Sequence, residues 1–294
     1  MKDFSIVDNY VTDCYLLFFK QRCHRSGALP HTNPLFYPFF DTAQFLSAIA
    51  SSTSMAPNQL FQYSIVSALI DGVANKGLPL SDLIVNGNFG LGTFRHMVGE
   101  MIILDGLVYQ MKSDGSVHDI QSTAYDQTII PFAMITDFQP TITASVHIQS
   151  KQELASHLSQ IMADTRNHYL SFKIHGVFKA ITVRTVGGQQ TPHQGLAEIG
   201  KHQTSHSFND IEGTLVGFRS PSFMQGISVA GDHLHFISAD KKHGGHVLEC
   251  EAIGEIDIAV AQLSDVHLRL PTMDEEYNQA QLKLDAQGIS TVEG

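Results

Sequence analysis

Apolar residues alternate with polar ones, or run together between turn residues, along most of the chain after residue 60, and this pattern predicts many β-strands. The clearest unit is a β-hairpin over residues 100–111. Its two apolar runs flank Asp105-Gly106, a dipeptide that tolerates the positive φ angles of a type I′ turn. β-Branched and aromatic residues predict further strands at 129–138, at 141–148, two within 170–186, at 213–219 and at 256–261.

Helical spacing of apolar residues occurs in shorter stretches between these strands. It predicts helices at 40–54, 64–74, 79–85, 152–162 and 195–203. Strand-rich segments that carry a few helices argue for an α/β (α+β) architecture built on mixed β-sheets.

Three regions of the chain differ in composition and pattern. Three prolines between residues 30 and 38 interrupt an aromatic-rich stretch, which predicts an N-terminal extension over 1–57. The helix predicted at 152–162 then separates two strand-rich parts. We therefore expect an N-terminal mixed-sheet domain at 58–150 and a C-terminal domain with a tail at 151–294.

Composition limits the function classes. The chain has 294 residues, of which 43% are hydrophobic, so it can bury a sizeable core. The formal net charge is -11 and no dense Lys/Arg run occurs, which argues against nucleic acid as a partner. Cys14, Cys23 and Cys250 include no C-x-x-C pair, so reduced thiols and a cytoplasmic location are expected. No apolar run reaches membrane-spanning length and no signal peptide is predicted.

Three histidines near the end of the chain have the spacing of a metal site. His233 and His235 share one face of a strand, because alternate side chains of a strand point the same way. The polar segment 239–245 ends in two glycines and predicts a turn that returns His246 beside them. Three neutral imidazoles leave an open position on zinc (Zn2+), as in catalytic sites, and would place the metal on the C-terminal sheet.

Other candidates have weaker patterns. His243 lies in the predicted turn, and His202 with His206 lack the glutamate that follows the first histidine of a zincin. The glycine-rich segment 87–92 lacks the lysine of a phosphate-binding loop. Ser220 and Ser222 belong to no G-x-S-x-G motif, so a serine hydrolase has little support.

Several ordered motifs together resemble the alpha-acetolactate decarboxylase family, from about Tyr63 to the C-terminus. They are GNFGLGTF, GEMIILDGLVYQ, FKIHGVFKAITVRTV, GTLVGFRSP, HLHFIS and GGHVLE. The resemblance implies that zinc is bound by the three histidines. It also implies that Arg184 is the active-site arginine and that Thr93 supplies a substrate-binding hydroxyl. Glu100 and Glu293 match the two carboxylates of the family.

The sequence departs from the family pattern near two of these positions. Met97 and Val98 stand where the family usually has Leu-Asp, and His175 stands where it usually has glutamate. Glu249 and Glu251 are rival second carboxylates. In a regular strand, however, their parity is opposite to that of His246 and would turn them away from the metal.

The resemblance implies zinc-dependent decarboxylation of a small molecule, 2-acetolactate, to acetoin. Loss of carbon dioxide leaves electrons that must move onto the neighbouring carbonyl as an enediolate, for which zinc is the sink, and a glutamate then delivers a proton. The family also implies a homodimer joined through its N-terminal sheets. Two alternatives stay open: a non-catalytic metal- or small-molecule-binding β-domain, and a zinc hydrolase.

Overall fold

A computed structural model describes residues 55–282 and Ile289, which belong to one compact unit. The helix predicted at 40–54 and the predicted site residue Glu293 lie outside the described residues. None of the described helices is long and apolar enough to cross a membrane.

The described chain is dominated by strands, which confirms the predicted α+β class. In chain order the strands are β1 Gln59–Tyr63, β2 Leu78–Pro79, β3 Phe89–Thr93, β4 Glu100–Leu104, β5 Leu107–Met111, β6 Val117–Asp119, β7 Ile129–Ile130, β8 Phe132–Thr136, β9 Ile142–His147, β10 Tyr169–Thr185, β11 Thr204–Ser220, β12 Gly231–Ser238, β13 Gly244–Ala252, β14 Glu255–Leu263 and β15 Asp265–Arg269. The α-helices are α1 Val66–Ile70, α2 Leu80–Ile84, α3 Lys151–Ile161, α4 Leu196–Ile199 and α5 Glu275–Gln279.

Two large sheets organise these strands. The first has the order β15-β1-β8-β3-β4-β5-β6 and is mixed, because β1 and β15 run parallel while its other pairs are antiparallel. The second is antiparallel, with the order β11-β12-β13-β10-β14-β9, and an additional β10–β11 pairing closes four of its strands on themselves. Strand β9 comes before the predicted domain boundary near residue 150 but belongs to the second sheet, and β15 comes after it but belongs to the first sheet. The domain boundary stays a prediction.

The hairpin formed by β4 and β5 has the predicted turn. Asp105 and Gly106 have φ angles of 53° and 80°, and Leu104 pairs with Leu107 across the turn. Because a type I′ turn needs positive φ at both central positions, these two residues fix the register of the hairpin. That register places Glu100 at the outer end of β4, opposite Met111.

Strand β10 differs from the prediction of two strands in residues 170–186. It is one strand of 17 residues that changes partner along its length, from β14 in its first half to β13 in its second, while β11 follows it throughout. Gly176 lies where the partner changes, and a Cβ there would be only 2.4 Å from the side chain of Ile256. The glycine marks a close approach within a strand rather than a break between strands.

The helices are mostly shorter than predicted. The helix expected at 64–74 is only α1, because the apolar pattern continues through Val73 and Ala74 in an irregular buried segment. Helix α3 is close to prediction and buries Leu154 and Leu158 against the second sheet. A second apolar cluster joins residues of both sheets, and the candidate site lies on this inter-sheet face.

Candidate metal centre and active site

His233, His235 and His246 lie on the predicted hairpin formed by β12 and β13. His235 is directly opposite His246 in the register, and His233 lies two residues earlier on the same face of β12. The three side chains are only 5%, 0% and 1% exposed. The pairing of the strands therefore brings the three imidazoles together, as their spacing predicted.

The geometry of the three imidazoles fits a single metal ion. One ligand atom from each residue lies within 4.8 Å of the other two, and this is the one His/Cys/Asp/Glu group of its kind among the described residues. The Nε2 atoms of His233 and His235 are 3.2 Å apart. Two nitrogen ligands of one tetrahedral zinc ion lie at about this separation.

The electrostatics of the group also suit a metal. Burial lowers the pKa of His235 to about 4 and holds the pKa values of His233 and His246 well below the ordinary range, with the neighbouring imidazoles adding to the shift of both. Neutral imidazoles keep the lone pair that a ligand needs. His235 Nδ1 lies 2.9 Å from the carbonyl oxygen of Met101, so an Nδ1–H donor would leave Nε2 as the ligand atom. These donors fit zinc.

Arg184 lies beside the histidines on the neighbouring strand. It is opposite His246 in the β10–β13 register and is 3% exposed. Its Nη1 donates a hydrogen bond of 3.3 Å to the side-chain oxygen of Gln203. A buried guanidinium next to a three-histidine group provides a fixed cation that can hold a carboxylate.

Glu100 reaches the group from the first sheet. Its carboxylate oxygen Oε2 is 3.6 Å from His235 Nε2, and its side chain is 14% exposed. Thr93 is opposite Glu100 in the β3–β4 register, and its hydroxyl donates a 2.8 Å hydrogen bond to the carbonyl of Gly99. Thr93 thus stabilises the backbone immediately before Glu100, and the substrate-binding role implied by the family stays a prediction.

Strand β13 is irregular just after His246. Thr182 pairs with Glu249 and Val183 with Val247, so the partner strand contains one extra residue, a β-bulge. The parity argument against Glu249 assumed a regular strand and is wrong: the bulge returns Glu249 to the face of His246. Glu249 is nevertheless exposed, unlike the buried histidines.

The other candidates lie apart from the three histidines. His206 approaches the carbonyl of Ser113 at 3.3 Å, and the ring of His243 packs on that of Phe208. His175 pairs with Glu212 and is about half exposed, so this departure from the family is on the surface. The other departure from the family is at Met97 and Val98. Met97 is buried in the core, whereas Val98 is 38% exposed.

Sequence reasoning missed two residues near the site. Gln203 contacts Arg184, and the ammonium of Lys151 donates to the carbonyl of Val247, the residue after His246. No local pattern marks either residue, because each reaches the site through the packing of separate elements. A cavity of about 320 Å³ lined by His96, Gln189 and other residues contains none of the predicted site residues.

The chain is similar to several known proteins. A sequence model of the family described as alpha-acetolactate decarboxylase matches residues 60–284. Alpha-acetolactate decarboxylase of Bacillus subtilis (strain 168) is 34% identical over 238 residues, which cover 81% of this chain and 91% of the relative. Alpha-acetolactate decarboxylase of Klebsiella aerogenes is 37% identical over 244 residues, which cover 80% of this chain and 88% of the relative. A crystal structure of acetolactate decarboxylase from Bacillus subtilis subspecies spizizenii has a TM-score of 0.75 at 32% identity, covering 80% of this chain and 100% of that one.

Proposed function

This chain belongs to the alpha-acetolactate decarboxylase family and is a carboxy-lyase, and we propose that it converts 2-acetolactate to acetoin at a zinc centre formed by His233, His235 and His246. The observation that carries the proposal is the buried group of three neutral imidazoles with Arg184 and Glu100 beside it. When bound, zinc would supply a Lewis acid that polarises the substrate carbonyl next to the breaking bond.

Arg184 binds and orients the substrate carboxylate in this proposal. Its guanidinium is buried, so its hydrogen bonds are stronger than in water, and its planar fork matches a carboxylate. The contact with Gln203 helps to set the direction of the fork. Holding the carboxylate out of the plane of the carbonyl would favour cleavage of the bond between them.

Glu100 is the proposed proton donor or acceptor on the first sheet. Its carboxylate is close to His235 and only partly accessible to water, and Thr93 fixes the backbone before it. After carbon dioxide leaves, the carbon that carried it needs a proton on one face to give a chiral product. A carboxyl group that approaches from one sheet only can deliver that proton selectively.

Glu293 is the proposed second carboxylate, which would complete proton transfer at the substrate hydroxyl. Ile289, four residues earlier, is fully buried in the apolar cluster that also contains Met97 and Val186. Those residues are close in sequence to Glu100 and Arg184 respectively. Four residues can span at most about 14 Å, so the buried anchor supports a Glu293 side chain within reach of the site.

Decarboxylation can be tested directly by measuring carbon dioxide and acetoin from 2-acetolactate, with the zinc-loaded protein, the chelated protein and the reloaded protein compared. We expect turnover with zinc, loss after chelation and recovery on reloading. A protein that binds zinc without releasing carbon dioxide would instead be a binding domain. Hydrolysis of ester or amide substrates without decarboxylation would indicate a zinc hydrolase.

The identity of the second carboxylate needs a matched pair of variants. Glu249→Gln is the control for Glu293→Gln, because Glu249 is on the face of His246 but exposed. We expect only Glu293→Gln to lower turnover strongly. The opposite result would assign the role to Glu249.

The homodimer and the cytoplasmic location belong to the same proposal. Strand β15 forms an edge of the first sheet, and its Val266 and Leu268 are 42% and 38% exposed. An exposed strand edge with apolar side chains is suited to pairing with a second copy. Sedimentation velocity of the full chain would measure the oligomeric state.

A further inference from the structure

Lys151 is a cation held rigidly at the first residue of helix α3. Ser150 caps the helix by accepting a 3.1 Å hydrogen bond from the backbone N–H of Glu153, and the Glu153 side chain accepts one from the N–H of Gln149. The pair resembles a capping box, except that the glutamate reaches the residue before the N-cap, and it fixes the first turn. The backbone of Lys151 is therefore fixed at the start of the helix, and its side chain reaches the second sheet at Val247.

The environment of Lys151 is unfavourable for a positive charge. The N-terminus of a helix carries a partial positive charge, so a lysine there is at the disfavoured end. Burial and then the charge of Arg184 lower the pKa of the Lys151 ammonium, and the more distant Cys250, Glu249 and Asp232 act in the opposite direction. Among the described residues no carboxylate lies within 4.0 Å of it, and its hydrogen bond is to the carbonyl of Val247, at 3.0 Å.

The contact with Val247 places Lys151 next to the three histidines. The ladder between β12 and β13 ends at the pair His235–His246, so Val247 follows the last pair. The bulge in β13 begins at the same point. The ammonium of Lys151 therefore lies where the pairing of β12 and β13 ends, one residue beyond His246.

We propose that Lys151 is a positioning residue that favours an anionic substrate, because its ammonium adds a second positive charge beside Arg184 at the three-histidine group. The inference rests on the proposed function and deepens it: Arg184 binds the carboxylate, and the field of Lys151 raises the affinity of the site for that negative charge. Because no carboxylate of the described residues lies within 4.0 Å of the ammonium, Glu249 and Asp232 offset its charge only from a longer distance, and the field can act on a bound anion.

Substrate and product differ in the group that the field would act on. Both have a hydroxyl next to a ketone, but 2-acetolactate has a carboxylate and acetoin is neutral. Lys151→Met should therefore raise the KM for 2-acetolactate roughly 10-fold, which corresponds to about 1.4 kcal/mol. Inhibition by acetoin, kcat and zinc content should each stay within a factor of about two.

Three variants complete the test. Lys151→Arg keeps the charge and should restore KM. Lys151→Gln removes the charge but keeps an N–H donor for Val247, and should behave like Lys151→Met. Lys179→Met is the matched control for net charge, since Lys179 is 62% exposed and pairs with Glu251; its KM should not change.

Each result decides the inference. An unchanged KM in Lys151→Met and Lys151→Gln overturns it. Equal losses for substrate and acetoin, or a Lys151→Arg variant no better than Lys151→Met, would show that the residue only supports the backbone at Val247. If the unaltered protein neither releases carbon dioxide nor binds acetoin, the proposed function itself fails, and that outcome is separate from a Lys151 effect.

Discussion

Replacement of Arg184 by lysine tests whether the buried cation binds substrate or only stabilises the fold. Arg184 is 3% exposed, opposite His246, and donates through Nη1 to Gln203. Lysine keeps the positive charge but has a compact ammonium in place of the planar fork. The substitution therefore removes the two-pronged contact with a carboxylate while leaving most of the local electrostatic field.

The expected magnitude follows from the hydrogen bond that is lost. A hydrogen bond to a charged group contributes about 1.5–3 kcal/mol. At about 1.36 kcal/mol for each factor of ten in rate, kcat/KM should fall roughly 10- to 150-fold. The lysine side chain is also shorter, so the contact with Gln203 should weaken, which places the expected loss toward the upper end of this range.

The assay combines carbon dioxide release from 2-acetolactate with zinc analysis and thermal unfolding. Zinc content and melting temperature should remain close to those of the unaltered protein, because the three histidines are retained. Lys179→Arg is a control at an exposed site on the same strand. Near-normal kcat/KM in a folded Arg184→Lys protein would refute the reasoning and make Arg184 a structural residue.

Three further predictions concern the metal, the tail and a thiol. His235→Ala should abolish zinc binding and turnover together, as elemental analysis and the gas assay would measure; full zinc occupancy in this variant would reject the metal assignment. Glu293→Gln should lower turnover by roughly 100-fold or more while the melting temperature and zinc content hold, since general acid–base catalysis contributes on that scale. Burial raises the pKa of Cys250 to about 12, so in a variant without Cys14 and Cys23 a thiol reagent at pH 8 should label the unfolded but not the folded chain. Rapid labelling of the folded chain would contradict the buried position of that thiol.

The three-histidine group could be predicted from the sequence because its geometry is local. His233 and His235 share a face by the two-residue period of a strand, and two glycines allow the turn that returns His246. Asp105 and Gly106 determined the β4–β5 hairpin in the same way. In each case the information lies within about twenty residues, where strand periodicity and turn preferences apply directly.

Which face of strand β13 carries Glu249 depends on one extra residue in that strand. The bulge after His246 reverses the facing of the residues that follow, and it lies where the pairing of β12 with β13 ends. Periodicity assumes a regular strand and cannot detect such an insertion. The sequence also predicted two strands where β10 is one, because Gly176 marks a change of partner and a close approach rather than a break.

The sequence by itself determined the strand-rich class, the hairpins and the group of three histidines, since these depend on residue types a few positions apart. Only the tertiary structure brought Glu100 from the first sheet to 3.6 Å from His235, and Lys151 from helix α3 to the carbonyl beside His246. Glu100 and His235 are 135 positions apart in the chain, and Lys151 and Val247 are 96 apart. These contacts form because burial of the apolar clusters fixes how the two sheets and helix α3 pack. Long-range packing, rather than any local pattern, therefore decides which charged side chains surround the histidines.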